Sequence, residues 1–221
     1  MSAVVLSPKA ESDGRAAAAT VFVVDDNLGV RKSLRALLES VGLAVETYAS
    51  GEEFLAAYNP ERPGCLVLDL RLRYGSGLDV QDDLRRRKAR LPIIVLTGHG
   101  DVPTSVRALK AGAFDFLQKP APPAVLLERI AAAIDFDHRA RAATTDRAVV
   151  SERLAHLTPR EHEVMDLLMA GNPSKDIAAA LHVSVRTVEG HRRKVLTKVN
   201  VSSAAQLVRT VLSGREPGPR A

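Results

Sequence analysis

Gly64-Cys65-Leu66-Val67-Leu68-Asp69 is an apolar run too short to carry a helical pattern, and it breaks off in a carboxylate. Such a run reads as a buried parallel strand with Asp69 at its carboxyl edge. In a doubly wound α/β sheet that edge opens on the crevice where ligands and chemistry collect, flanked by loops and helix starts. Asp69 is therefore the leading candidate for a reacting group. An aspartate after a strand can also do no more than cap a turn or the next helix, so the neighbouring strand ends must decide.

Working outward, Val21-Phe22-Val23-Val24 is a second short run of β-formers, and it ends in Asp25-Asp26. Pro92 to Thr97 is a third, ending in a hydroxyl and followed by Gly98-His99-Gly100, which needs an unusual backbone path. Ala113 to Leu117 closes on Lys119-Pro120, and Ala44 to Tyr48 is a weaker strand. Between these lie helical spacings: Val30, Leu34, Leu37 and Leu38 before Gly42, then Gly51 to Tyr58, Leu78 to Lys88, Val102 to Ala111 and Ala124 to Ile134. Strand and helix alternate throughout, which predicts an α/β domain with a five-stranded doubly wound parallel sheet.

The strand tips then share one set of side chains: Asp25, Asp26, Asp69, Thr97 and Lys119. Three carboxylates held close repel one another and favour a divalent cation, and an oxygen-only set without His or Cys suits Mg²⁺ rather than zinc. A lysine and a hydroxyl facing the same crevice can neutralise and hydrogen-bond a phosphoryl group carried on one carboxylate. Aspartyl phosphates form by this kind of carboxylate attack.

Composition narrows the class further. Hydrophobic residues make up 46% of the 221, with no apolar run long enough to span a bilayer and no leader-like N-terminus, so a soluble cytoplasmic protein without a membrane partner is expected. The single cysteine, Cys65, excludes a disulfide framework and a cysteine-built zinc site, and it reads as a small core side chain. Net charge is +5, distributed unevenly. Residues 1–140 hold 18 basic and 18 acidic side chains, whereas residues 141–221 hold 13 and 8. A neutral domain joined to a basic one fits a control module attached to a nucleic-acid binder.

Residues of about 20 to 138 resemble the receiver domain of two-component response regulators. The resemblance rests on Val-Asp25-Asp26, Leu-Asp69, Thr97-Gly98 and Lys119-Pro120, and the stretches from Leu96 to Pro103 and from Lys110 to Pro120 resemble the FixJ-type subgroup. It implies a flavodoxin-like sheet and a sensor histidine kinase that donates a phosphoryl group to Asp69. It further implies that Asp26, Asp69 and the backbone carbonyl of Arg71 bind Mg²⁺, with Asp25 acting partly through water, and that the Lys119-Pro120 peptide is cis. Thr97 and Phe116 are the implied switch pair, repacking a surface from Val102 to Phe116. Three departures stand out: Arg71 to Gly77 lacks the usual proline, Asn27 replaces a frequent acid, and Ala121 replaces a frequent aromatic. Arg71 and His99 flank the water path in relatives.

The C-terminal third reads as a small all-α module. Leu157-Thr158-Pro159-Arg160-Glu161 starts a helix with a threonine cap and a first-turn proline, and Gly171 stops it. Ser174 opens a second helix, and His182-Val183-Ser184 turns into a third from Val185, a helix-turn-helix. At about 100° per residue, Val188, Val195 and Val199 face a core, while Arg186, Glu189, Gly190, Arg193 and Thr197 face outward. Arg193 suits a guanine edge and Glu189 a cytosine amine, Gly190 permits close approach, and Arg192, Lys194 and Lys198 suit phosphates. His191 reads as a packing group.

From Leu157 to Val208 the chain resembles the LuxR-type DNA-binding domain, through Leu-Thr-Pro-Arg-Glu, Gly171, Ile177-Ala178, Leu181, Val183-Ser184, Thr187 to His191 and Lys198-Val199. Asn172-Pro173-Ser174-Lys175 departs from the more frequent Ser-Asn-Lys. The last helix, Ser202 to Leu212, resembles the family's dimerising helix, with Ala204, Leu207, Val208 and Val211 on one side.

The expected divisions are a disordered tail (1–19), the receiver (20–138), a linker (139–155) that either continues the fifth helix or adds dimer contacts, the helix-turn-helix domain (156–214) and a loose end (215–221). Together they imply a phosphorylation-dependent transcription regulator that forms a homodimer on two-fold-symmetric promoter DNA, with RNA polymerase as a candidate partner. Enzymatic activity is expected only on its own phosphoryl group. A stand-alone aspartyl phosphatase needs a second acid two residues after the first, where Arg71 stands. A receiver used only for dimerisation is the other alternative.

Overall fold

The computed structural model describes residues 19–98 and 102–215, in two compact units that divide between Asp137 and His138. The first unit contains β1 (Thr20–Val24), α1 (Leu28–Ser40), β2 (Ala44–Tyr48), α2 (Gly51–Ala57), β3 (Gly64–Leu68), α3 (Gly77–Arg86), β4 (Ile93–Thr97), α4 (Val102–Lys110) and β5 (Asp115–Gln118). A long helix, α5 (Pro123–Ala155), follows. The second unit continues with α6 (Pro159–Met169), α7 (Ser174–Ala180), α8 (Val185–Val199) and α9 (Ala204–Arg215). His99, expected beside the acceptor, lies outside the described residues, as do residues 1–18 of the expected tail and 216–221 of the expected loose end.

All five strands are parallel in the order β2-β1-β3-β4-β5. Side chains alternate between the faces with the strand period of two. Phe22, Val24, Leu66, Leu68, Ile93 and Val95 pack on one face with Phe54 of α2, Val80 and Leu84 of α3 and Ala108 of α4. Val21, Val23, Cys65, Val67, Ile94 and Leu96 pack on the other with Leu34 and Leu38 of α1 and Leu126 and Ile130 of α5. Every residue of β3 is buried, which explains its unbroken apolar sequence. Full burial of each Val or Leu contributes about 1.5–3 kcal/mol over exposure. Burial also pushes the Cys65 thiol up to about 12, so it stays an unreactive core group.

Gly64 begins β3 with φ +151°, and a Cβ there would lie 1.9 Å from the Thr20 carbonyl oxygen. Only glycine lets β1 and β3 come together at that point. The strand order reverses between β1 and β3, so their carboxyl ends open the switch-point crevice.

β5 begins two residues later than the sequence pattern suggests, at Asp115. Gly112 turns at φ +95° and Phe114 already donates to the Ile93 carbonyl at 2.8 Å, so Ala113 and Phe114 form the entry to the strand. Residues 139–155 are helical throughout as the distal half of α5. Its proximal residues Leu126 and Ile130 belong to the sheet core, and the distal Leu154 packs in the second unit's core.

In the second unit, Thr158 and Glu161 form a reciprocal capping box at the start of α6 behind Pro159. Val164, Leu168, Ile177, Ala178 and Val188 join α6, α7 and α8, and His182 turns at φ +54° between the last two. Met165, Val195, Val199, Leu207 and Val211 join α6, α8 and α9. Asn200 ends α8 in the left-handed conformation that asparagine tolerates. Leu207 and Val211, expected at a dimer surface, have no exposed area. An amphipathic stripe reveals that a face is buried but not by what, and here α6 and α8 bury it.

Candidate functional site

The crevice at the ends of β1 and β3 holds a closed charge cluster. Asp25 and Asp69 are 2% and 8% exposed. Lys119, just beyond β5, donates from Nζ to Asp25 Oδ2 at 2.5 Å and to Asp69 Oδ2 at 2.6 Å. The remaining oxygens are engaged by main chain: Asn27 N–H donates to Asp25 Oδ1 at 2.9 Å, and Arg71 N–H to Asp69 Oδ1 at 3.0 Å. Burial opposes the charge on Lys119, but its hydrogen bonds to Asp25 and Asp69 outweigh that and hold the ammonium above the ordinary lysine value.

Thr97 ends β4 with no exposed area, and its Oγ1 is buried without a hydrogen-bond partner. Its carbonyl accepts from Lys119 N–H at 2.8 Å, so the β4 end and the lysine are tied through the main chain. Unsatisfied buried hydroxyls are uncommon. Asp26 is half-buried and engages no donor among the described residues. Phe116 sits opposite Val95 in the β4–β5 register, partly buried against the core on the α2–α4 face. The Lys119-Pro120 peptide is cis, as the resemblance implied.

Asp25, Asp69 and Lys119 are thus in direct contact, Thr97 is joined to them through Lys119, and Asp26 and Phe116 adjoin along their strands. Among the described residues no three His, Cys, Asp or Glu side chains form a ready-made metal cage. The donors nonetheless fit a hard cation: Asp25, Asp26 and Asp69 supply oxygen only, against the single ammonium of Lys119.

Two of the departures acquire a physical account. Asn27 Oδ1 accepts from Gly29 N–H at 2.8 Å and Val30 N–H at 3.3 Å, so it caps α1. The loop after Asp69 closes without proline, through an antiparallel bridge between Arg71 and Ser76 and a capping box of Ser76 with Asp79. Gly77 is a close-approach position beside Asp69 that residue chemistry did not reveal. A Cβ there would lie 2.3 Å from the Asp69 carbonyl oxygen and 2.8 Å from Leu70 Cα. The Gly75-Ser76-Gly77 spacing was the available signal.

The second candidate surface is α8. Val188, Val195 and Val199 are buried, and Arg186, Glu189, Gly190, Arg193, Lys194 and Thr197 are exposed. Arg186, Arg193 and Lys194 engage no partner among the described residues, whereas Arg192 donates to Ser174 Oγ at 3.3 Å. Lys198, expected at a phosphate, is exposed and paired within its own module. Its Nζ donates to Glu161 Oε2 at 2.6 Å and to the His156 carbonyl at 3.1 Å. The Lys198 hydrogen bond, followed by the Thr158 N–H, holds the Glu161 carboxyl down at about 2. His191 is partly buried with Nδ1 unpartnered.

A parallel sheet with an Asp-Asp-Lys crevice, followed by a helix-turn-helix, defines a receiver joined to a DNA-binding module. The family model described as the response regulator receiver domain matches residues 21–131, and that of the bacterial regulatory proteins of the luxR family matches residues 155–211. The transcriptional regulatory protein FixJ of Rhizobium meliloti is 44% identical over 195 residues, spanning 88% of this chain and 96% of that protein. The transcriptional regulatory protein TdiR of Thauera aromatica is 41% identical over 197 residues, 89% of this chain and 87% of that protein. The solved structure of the response regulator StyR matches with a TM-score of 0.80 at 41% identity, covering 89% of this chain and 99% of that one. The chain belongs to the two-component response regulators that carry a receiver domain and a LuxR-type DNA-binding domain.

Proposed function

We propose that this response regulator is switched by phosphorylation of Asp69 and then binds promoter DNA as a homodimer. The observation that carries the reading is the Lys119 ammonium bridging Asp25 and Asp69 in the switch-point crevice. Asp69 Oδ attacks the phosphorus of a kinase phosphohistidine, the N–P bond breaks, and the histidine nitrogen leaves with the electron pair. Asp25, Asp26, Asp69 and the Arg71 carbonyl would hold Mg²⁺, which would supply charge neutralisation at the phosphoryl oxygens. Lys119 moves its donation from the Asp69 carboxylate to a phosphoryl oxygen, and the orphaned Thr97 hydroxyl supplies a further donor. Withdrawal of Thr97 toward that oxygen frees space above Phe116, which repacks the α4–β5 surface.

On α8, Arg186, Glu189, Gly190, Arg193 and Thr197 form the groove-reading face, with Arg192 and Lys194 toward phosphates. Gly190 supports this assignment. No atom lies within 4 Å of where its Cβ would be, so the fold itself does not call for glycine. Among the surface positions of α9, Ala204 and Val208 remain accessible for pairing. Among the described residues no helix is long and apolar enough to cross a membrane, and a cytoplasmic location suits a DNA-binding regulator.

Incubation with acetyl phosphate and Mg²⁺, followed by intact-mass measurement, tests the acceptor. One added phosphoryl group is expected on the wild type and none on Asp69→Asn. Equal labelling of both proteins would place the acceptor elsewhere.

A further inference from the structure

Ser174 is the first residue of α7, one position past the N-cap, where a serine hydroxyl would serve the start of the helix. The N-cap position is Pro173, which makes no side-chain hydrogen bond, and the Ser174 hydroxyl is used across the helix-turn-helix. Its Oγ donates to Glu189 Oε1 on α8 and accepts from Arg192 Nη1 at 3.3 Å. The hydroxyl has one hydrogen, so the cation on one side directs that hydrogen toward the carboxylate on the other. Glu189 Oε2 has no partner among the described residues and remains available as an acceptor.

We infer that Ser174 is a positioning residue for base reading: it fixes the Glu189 carboxylate so that the remaining oxygen presents one acceptor to a cytosine amine. This rests on α8 as the recognition helix. An exposed glutamate has three rotatable bonds, and near phosphates it is repelled into solvent. Freezing such a side chain at the moment of binding weakens the contact, and an acceptor that swings freely accepts from a base at several positions in the groove. The Ser174 bond removes that freedom before DNA arrives, and Arg192 offsets the negative charge beside the backbone. Ser174 therefore acts on discrimination at one base pair rather than on overall affinity.

The test uses the full-length protein and an operator selected by it from randomised duplexes. Binding is measured to that duplex and to its full set of single-base-pair variants, and to a random-sequence duplex. Glu189→Ala first locates the base pair that Glu189 reads. At that pair, Ser174→Ala is expected to reduce discrimination about three- to tenfold. Affinity for the random duplex should change less than twofold, and the thermal midpoint should hold. Ser174→Asn, which retains a donor, should recover discrimination, and Ser174→Ala should add nothing in the Glu189→Ala background. Unchanged discrimination in Ser174→Ala, where Glu189→Ala abolishes it, overturns the positioning role and leaves the recognition helix intact. A uniform loss on every duplex would also overturn it, since that is the signature of a structural or phosphate-contact role. If Glu189→Ala alters no base preference, the reading of α8 itself fails.

Discussion

The receiver crevice and the α8 face treat charge in opposite ways. In the crevice, Asp25 and Asp69 are buried and Lys119 is spent on both of them. On α8, Arg186, Arg193 and Lys194 stand exposed without partners among the described residues. The proposed tasks account for the difference. A group-transfer site needs its donors held beside the acceptor beforehand, so that only a short shift is left for the reaction itself. A surface that binds a polyanion needs cations that release counterions when the partner arrives, so internal pairing would waste them. Crevice substitutions should therefore cost stability and chemistry, whereas substitutions of the unpaired α8 cations should cost binding alone.

Lys119→Met should give the largest effect. Removing the shared cation leaves two carboxylates buried side by side, a loss of about 3 kcal/mol in the first unit. Urea unfolding at low Mg²⁺ measures it, and added Mg²⁺ should recover part of the loss. A stability equal to wild type would show that the cluster is not a mutual dependence.

Lys198→Met comes next, and it sharpens the comparison because Lys198 lies on α8 yet is paired with a buried carboxylate of its own module. Its loss leaves Glu161, 3% exposed, without its cation, and about 2 kcal/mol of the second unit's stability should go. The pH dependence has a definite sign. The Glu161 carboxyl is held down at about 2 from an ordinary 4.5, so its contribution is present above pH 4.5 and is lost as pH falls from there toward 2. Unfolding at pH 5 and pH 3 should show this slope in the wild type and a flatter one in Lys198→Met.

Arg193→Ala should leave stability within about 0.5 kcal/mol, and it should weaken binding to a selected operator by about 1.5 kcal/mol, roughly tenfold. Smallest is Gly190→Ala. Open space at the Cβ position predicts a more stable module, by about 0.8 kcal/mol, together with weaker operator binding. A gain in stability without loss of binding would remove close approach as the reason for glycine.

The sheet and its tips were legible because fully buried strands leave unbroken apolar runs, and the runs in β1, β3 and β4 lead to Asp25, Asp69 and Thr97 of the crevice. Helix faces were legible too, since the valines of α8 fall where a period of 3.6 places them. What covers a face was not. The stripe on α9 suggested a second copy, whereas Leu207 and Val211 meet the module's own core. The helical state of 139–155 was hidden because α5 turns its apolar residues toward different cores at its two ends. Lys198 with Glu161, and Ser174 with Glu189, are pairs far apart in sequence that only the folded chain brings together.

Operator affinity and elution volume, measured on the full chain with and without acetyl phosphate and Mg²⁺, test the switch most directly. The account predicts tighter operator binding and a shift toward dimer size on phosphorylation of the wild type, and neither in Asp69→Asn. Identical affinity and size in all four conditions would mean that the charge placed on Asp69 is not felt by the reading helix, and the phosphorylation switch would be wrong.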